Sequence, residues 1–315
     1  MKIAVCGTWH VHAPGYADVV MRTEGAELIG VYEENREWKK AFAEKYSITP
    51  YDTFEDLLNS DADGVIVCSS SDTHADYMVK LAKAKKHIFT EKVLALTVED
   101  CQRVKKAVDE NGVRFVISLV HKYRDYGVTL KKIVDSGELG KINYMRVRNC
   151  HSGSIGDWLP THFYDEKQCG GGAMIDLGAH GMYLAEWIMG LPKKYSSSFN
   201  VWDNNPKNAS KLEDNAVTVM SYEDGGVAVN ETGFVSACDP LIIEISGDKG
   251  YAVYNIGKVY KKTRDTDNKF TMVDAEPSEP SPLEQFLSGN ILDGCGMEEA
   301  IDLTKMMVGA YGNIL

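Results

Sequence analysis

Asp176 and His180 stand four residues apart in the stretch Gly170-Gly171-Gly172-Ala173-Met174-Ile175-Asp176-Leu177-Gly178-Ala179-His180. On an α-helix that spacing puts both side chains on one face, where an acid and an imidazole can address one substrate and move a proton. The same pair also serves in helices as an N-terminal acid and a hydrogen-bonded core histidine. The apolar residues Met174, Ile175, Leu177, Met182, Tyr183 and Leu184 predict a buried helix, and the three glycines before it predict a backbone that approaches a ligand closely. His10 and His12 form an H-x-H pair that would ligate a metal if an acid or third histidine converged on it. The expected role is instead a hydrogen bond toward phosphate or packing under a loop, with no metal ion.

These groups need a scaffold. Apolar runs at 2–6, 27–32, 63–68, 87–90 and 113–118 alternate with amphipathic stretches at 13–22, 35–46, 73–84 and 98–111. Strict strand–helix alternation predicts a parallel sheet covered on both faces. After about residue 121 the pattern changes to a helix at 126–136, a long strand at 141–150 and a loop bearing glycine and tryptophan. Successive strands follow over 196–260, with turns at Asp224-Gly225-Gly226 and Gly247-Asp248-Lys249-Gly250, and predict a mainly antiparallel second sheet. A proline-rich connector at 276–282 precedes a closing helix at 297–312. The expected architecture is an α/β domain over 1–120 and an α+β domain with an open antiparallel sheet over 121–315.

Composition narrows the function. A chain of 315 residues with 44% hydrophobic and 25% charged residues is ordinary for a globular protein of two domains. A formal net charge of -12 without a basic cluster argues against nucleic acid, since phosphate neutralisation needs clustered Lys and Arg. Seven cysteines with no C-x-x-C pair suggest neither a disulfide framework nor a cysteine zinc site. With no run long enough for a signal peptide or a membrane span, a cytoplasmic protein acting on small molecules is expected.

The turn after the first strand, Gly7-Thr8-Trp9-His10-Val11-His12, lies where a Rossmann domain carries G-x-G-x-x-G. Only the first glycine is kept, and Trp9 and His12 occupy the other two places. Glu33 follows about 20 residues on, at the end of the second strand, where a carboxylate binds both hydroxyls of an adenosine ribose. NAD is therefore expected over NADP, although Arg36 nearby would suit a 2′-phosphate.

With Ser69-Ser70-Ser71-Asp72-Thr73-His74, Thr90-Glu91-Lys92-Val93 and G-G-G-x-x-x-D-x-G-x-H, the chain resembles the Gfo/Idh/MocA oxidoreductases over nearly its whole length. In that family an E-K-P motif supplies a lysine near the reacting hydroxyl and a D-x-x-x-H pair completes the site. The resemblance thus implies Lys92, Asp176 and His180 as catalytic residues. It implies Glu91 and the loop carrying Ser69, Ser70, Asp72 and His74 on the nicotinamide side, and Tyr123 and Arg124 at the opening of the second domain. Asp157, Trp158, His162 and Tyr164 are candidates for holding a polyol, Trp158 equally one for packing at the domain edge. Val93 replaces the family's proline, so a trans Lys92–Val93 bond and a displaced Lys92 are expected, because cis bonds before residues other than proline are costly.

The reaction implied is oxidation of a secondary hydroxyl of a sugar, inositol or related polyol with NAD. Neutral His180 takes the hydroxyl proton, Asp176 orients His180 or a neighbouring hydroxyl, and Lys92 stabilises the developing alkoxide. The alternatives are an NAD-dependent glycosidase of the same family, a non-catalytic dinucleotide-binding regulator, and a metal-dependent isomerase or hydrolase built on His10, His12, His162 and Asp176. The family also implies that the second sheet packs on a copy of itself, in a homodimer or homotetramer.

Overall fold

The computed structural model describes residues 1–238 and 240–313, and its backbone contacts divide it into two units. In the first, the alternation read from the sequence becomes β1 (Lys2–Cys6), α1 (Ala13–Arg22), β2 (Glu27–Tyr32), α2 (Arg36–Tyr46), β3 (Thr49–Pro50), α3 (Phe54–Leu58), β4 (Gly64–Val67), α4 (His74–Lys83), β5 (His87–Thr90), α5 (Val98–Asn111) and β6 (Phe115–Ile117). All six strands are parallel in the order β3-β2-β1-β4-β5-β6. Val65, Ile66 and Val67 are fully buried, as expected for a strand covered on both faces. Polar residues set the helix starts: Asn35 accepts the N–H groups of Glu37 and Trp38, and Thr97 accepts that of Asp100. The strand order reverses between β1 and β4, which opens a crevice at the carboxyl ends of the strands.

The second unit contains α6 (Asp125–Asp135), β7 (Ile142–Cys150), α7 (Glu166–Cys169), α8 (Ala179–Met189), β8 (Lys194–Asn200), β9 (Asn215–Ser221), β10 (Val227–Gly233), β11 (Leu241–Gly247), β12 (Gly250–Asn255), β13 (Lys258–Thr263) and β14 (Thr271–Val273). Its eight strands run in the order β14-β13-β12-β11-β7-β10-β9-β8, antiparallel except for the β7/β10 pair. Alternation in β9 buries Ala216, Thr218 and Met220 and turns Val217 and Val219 outward. On that outward face Arg146 pairs with Glu231 at 2.6 Å and with Glu244 at 2.5 Å. α8 packs on β7 and β10.

Two departures from the sequence reading concern boundaries. Residues 280–304, placed with the second domain by sequence, belong to the first unit. The segment α9 (Pro282–Ser288) buries Phe286 there, and Ile117 N donates to the Cys295 carbonyl at 2.9 Å. The closing helix α10 spans Met297–Tyr311. The stretch read as a single helix from Met174 begins as a π-helical turn, Met174–Gly178, before α8. Asp176 lies in that π-helical turn and His180 in the first turn of α8. Among the described residues no helix is long and apolar enough to cross a membrane.

Candidate functional site

In the first unit the β1 turn is built on Gly7, whose φ of +84° requires glycine and whose missing Cβ would overlap the backbone of Ser69. Thr8 N donates to Glu33 Oε2 at 2.6 Å and Thr8 Oγ1 to the same oxygen at 3.1 Å, while Asn35 N donates to Glu33 Oε1 at 2.9 Å. The carboxylate expected on a ribose also binds the turn. His10 N donates to the Cys68 carbonyl at 3.0 Å, Trp9 is buried and Val11 is exposed. Gly7 and the amino end of α1 still face the β1/β4 switch point, so the turn fits a dinucleotide, with Gly7 to Val11 as the residues that would hold its diphosphate.

Glu91, at the end of β5, is the polar centre of this crevice. It is 1% exposed, and its Oε1 accepts His12 Nδ1–H at 2.7 Å and the Tyr16 hydroxyl. Tyr16 Oη in turn lies 2.7 Å from Ser118 Oγ, and Lys92 N donates to Glu91 Oε2 at 2.9 Å. Burial pushes the carboxyl pKa up. The charges of His10 and His12, the His12 hydrogen bond and Lys92 outweigh it and hold the group well below the usual 4.5. His10 Nδ1 lies 3.9 Å from the same oxygen and accepts His12 N–H at 3.2 Å. The acid that an H-x-H metal site would need has thus converged: ligand atoms of His10, His12 and Glu91 lie within 4.8 Å of one another. The same three residues are joined by the hydrogen bonds just described.

Lys92 is buried, and the bond that follows it corrects the sequence expectation: Lys92–Val93 is cis. Tertiary contacts on both sides define the segment. Glu91 N donates to the Val67 carbonyl at 3.0 Å, Val93 O lies 2.9 Å from His74 Nδ1, and Val93 and Leu94 are buried. His74 is itself 1% exposed and bridges Val93 O and Ser69 O, the latter at 3.0 Å from Nε2; burial holds its pKa below the usual 6.5. It ties the Ser69 loop to the lysine segment. Ser70 Oγ donates to Asp72 Oδ1 at 2.5 Å, and Thr73 Oγ1 donates to Ser69 Oγ at 3.0 Å.

In the second unit the glycines serve packing. A Cβ on Gly171 would overlap the Tyr311 hydroxyl, and one on Gly172 would overlap the carbonyl oxygen of Glu213. Buried Glu213 explains the tightness: its Oε1 accepts Gly172 N and Met174 N, each at 3.0 Å, and the Tyr311 hydroxyl at 2.6 Å. Burial raises its pKa, against the hydrogen bonds of Tyr311, Met174 and Gly172. The close approach predicted from Gly170-Gly171-Gly172 is made at Gly171 to Tyr311 and at Gly172 to the Glu213 backbone. His180 is 7% exposed, with Nδ1 2.9 Å from Tyr183 Oη, which accepts His121 N–H at 3.1 Å. The His121 ring meets His180 edge-on at 4.6 Å. Tyr183 and His121, read from sequence only as core and boundary, are thus partners of the predicted base. Asp176 N donates to Gly172 O at 3.3 Å.

The predicted polyol residues divide by exposure. Tyr123 and Tyr164 are buried, and Arg124 precedes α6. Asp157, with φ +53°, pairs with Lys207 at 2.8 Å. Trp158 is 51% exposed, donates Nε1–H to Ser152 Oγ at 3.2 Å and stands over His151 at 4.6 Å. His162 lies within the short 3-10 turn Thr161–Tyr164 and accepts Cys169 Sγ–H at its carbonyl. Lys92 lies in the first unit, and Asp176 and His180 in the second.

Residues 1–119 match the model described as "Oxidoreductase family, NAD-binding Rossmann fold", and residues 128–253 match the "GFO/IDH/MocA C-terminal domain". The chain belongs to the Gfo/Idh/MocA oxidoreductase family. Myo-inositol 2-dehydrogenase of Thermotoga maritima is 30% identical over 259 residues, 79% of this chain and 74% of the relative. Inositol 2-dehydrogenase of Salmonella typhimurium is 28% identical over 262 residues, 80% and 73% of the two chains. The aldose-aldose oxidoreductase of Caulobacter crescentus, whose crystal structure contains glycerol, superposes with a TM-score of 0.84 at 19% identity, covering 99% of this chain and 97% of that one, and shares the fold. Within the Gfo/Idh/MocA fold, the Rossmann unit is the NAD-binding one.

What sequence reasoning missed is Glu213, Tyr183 and the His12–Glu91 bond. Glu213 sits in the unremarkable run Lys211-Leu212-Glu213-Asp214-Asn215, with no periodicity or spacing to single it out.

Proposed function

We propose that this chain is an NAD-dependent dehydrogenase that oxidises a secondary hydroxyl of a sugar, inositol or related polyol. The observation that carries the reading is the match to both family domains, with Lys92, Asp176 and His180 at the motif positions. The names of the inositol dehydrogenase relatives point to polyols as the substrate class. When bound, NAD supplies the acceptor for the hydride that leaves the carbinol carbon. The chain's own task is then the hydroxyl proton and the charge it leaves behind.

In this reading neutral His180 receives that proton. Its Nδ1 is held by Tyr183, which sets the ring orientation, and Asp176 positions the hydroxyl. Lys92, buried and held at its backbone by Glu91, stabilises the developing alkoxide. Asp157, Trp158, His162 and Tyr164 select the polyol. The outward sheet face carrying Val217, Val219 and Arg146 packs on a second copy of the chain, and cysteines that form no disulfide among the described residues suit a reducing cytoplasm.

A screen of sugars and polyols with NAD and NADP, read as NADH absorbance, tests the activity. His180→Ala should abolish turnover with NAD binding nearly intact; an unchanged rate with the same substrate removes His180 from the mechanism. Light scattering in solution should give a dimer or tetramer, and a monomer would refute the sheet-face assignment.

A further inference from the structure

Resting on the dehydrogenase reading, we infer that His74, protonated at Nδ1, is a positioning residue of the reaction: it fastens the backbone that carries Lys92 and so sets where the ammonium stands. His74 is the first residue of α4, and its ring is 1% exposed. Nδ1 lies 2.9 Å from the Val93 carbonyl and Nε2 3.0 Å from the Ser69 carbonyl. The family resemblance puts this histidine on the nicotinamide side, yet both of its nitrogens are engaged by backbone carbonyls of the chain.

The contact matters because of the backbone it holds. Residues 91–97, between β5 and α5, belong to neither strand nor helix, so they have no ladder of their own and take their anchors from elsewhere in the first unit. Glu91 N donates to the Val67 carbonyl of β4 at 3.0 Å, Lys92 N to Glu91 Oε2 at 2.9 Å, and Thr304 Oγ1 to the Ala95 carbonyl at 3.3 Å. Between these anchors the His74 ring meets the carbonyl of the residue next to Lys92. Val93 is 2% exposed, so loss of that partner would leave the carbonyl in the interior without a hydrogen bond. A neutral imidazole has one N–H and donates to one carbonyl at a time, whereas the imidazolium donates to both; every form with a proton on Nδ1 holds Val93. The other end of the ring reaches Ser69, whose backbone packs against Gly7 of the dinucleotide turn.

The kinetic consequence follows from the task of Lys92. Negative charge grows on the substrate oxygen only as the hydride leaves, so an ammonium aimed at it acts on the transition state more than on the bound alcohol. Loosening the backbone beneath that ammonium should therefore be read in kcat and hardly in KM. A rigid helix start, a buried ring and a short bond to the neighbouring residue are what such placement needs.

The test uses the full chain with NAD and its best polyol, and two amides that divide the imidazole between them. His74→Asn keeps an N–H about where Nδ1 stands, and His74→Gln keeps one about where Nε2 stands. His74→Ala and His74→Gln should each lower kcat about a hundredfold, as expected of a misplaced catalytic group, with the KM for the polyol little changed. His74→Asn should recover most of that loss. In a Lys92→Met background, measured on its residual rate, His74→Ala should lower kcat no further, because no ammonium remains to be misplaced. Independently of turnover, 15N spectra of histidine-labelled protein should show a proton on His74 Nδ1. If the alanine variant does not fold, the asparagine and glutamine variants and the Nδ1 proton decide. A kcat retained in His74→Gln, a slower His74→Asn than His74→Gln, an equal further loss in the Lys92→Met background, as a merely structural role would give, or an Nδ1 without a proton would each overturn the assignment. Absence of any polyol turnover by the unaltered chain would refute the dehydrogenase reading itself, a result distinguishable from turnover that survives loss of His74.

Discussion

Glu91 in the first unit and Glu213 in the second are both buried carboxylates that accept backbone N–H groups of a functional segment, yet their pKa values move in opposite directions. Burial raises both. Around Glu91 the imidazoles of His10 and His12 and the ammonium of Lys92 reverse the effect and keep it ionised, whereas the hydrogen bonds of Tyr311, Met174 and Gly172 at Glu213 leave burial dominant. One is therefore a fixed negative charge among imidazoles, the other a hydrogen-bond acceptor that holds a glycine turn in shape. Residue type and burial alone do not distinguish these roles; neighbours do.

The comparison breaks most readily at Gly172. Gly172→Ala places a methyl group against the Glu213 carbonyl and should cost about 1–3 kcal/mol or more, read as a lowered denaturation midpoint; an unaltered midpoint would show that the turn is not constrained by Glu213. Glu91→Gln should come next. It removes an ionised group whose pKa is depressed on folding, so the stability it contributes above the ordinary carboxylate range, and loses as pH falls through its folded pKa, should vanish from the acid limb. Urea titrations from acid to neutral pH would detect this, and parallel profiles for the two proteins would argue against an ionised Glu91.

Glu213→Gln should act with the opposite sign. A carboxyl whose pKa is raised on folding binds its proton more tightly in the native state, so stability is lost as pH rises from the unfolded to the folded value. The glutamine oxygen can keep the three hydrogen bonds that Oε1 accepts, and the variant should gain on the unaltered protein as pH rises through that window. A variant less stable at every pH would contradict this. Smallest of all, Glu33→Gln keeps an acceptor for Thr8 or Asn35 but not for both, and should cost about 1 kcal/mol, with a modest loss of NAD affinity as the turn loosens. NAD affinity reduced many-fold without loss of stability would favour the ribose role of Glu33 over its hold on the turn.

Much of this was legible beforehand. Strands and helices of the first unit follow from apolar runs and amphipathic spacing, and the Gly7 turn, Glu91-Lys92 and D-x-x-x-H are local patterns. The segment at 280–304 was assigned to the wrong unit because its packing against β6 depends on contacts far away in sequence. The cis bond at Lys92–Val93 was missed because a dipeptide's preference is for trans, while the flanking hydrogen bonds come from β4 and α4. The glycines of Gly170-Gly171-Gly172 signalled close approach correctly but could not say to what.

By itself the sequence determined the alternation of elements, the two-domain plan and which residue types stand at each motif, because those depend on short-range periodicity and local backbone preference. Only the tertiary structure decided that His12 meets a carboxylate 79 residues away and that Gly172 meets one 41 residues away. Strand order and register choose such partners, and for a buried ionisable group the partner, more than the residue itself, sets the charge state and with it the chemistry.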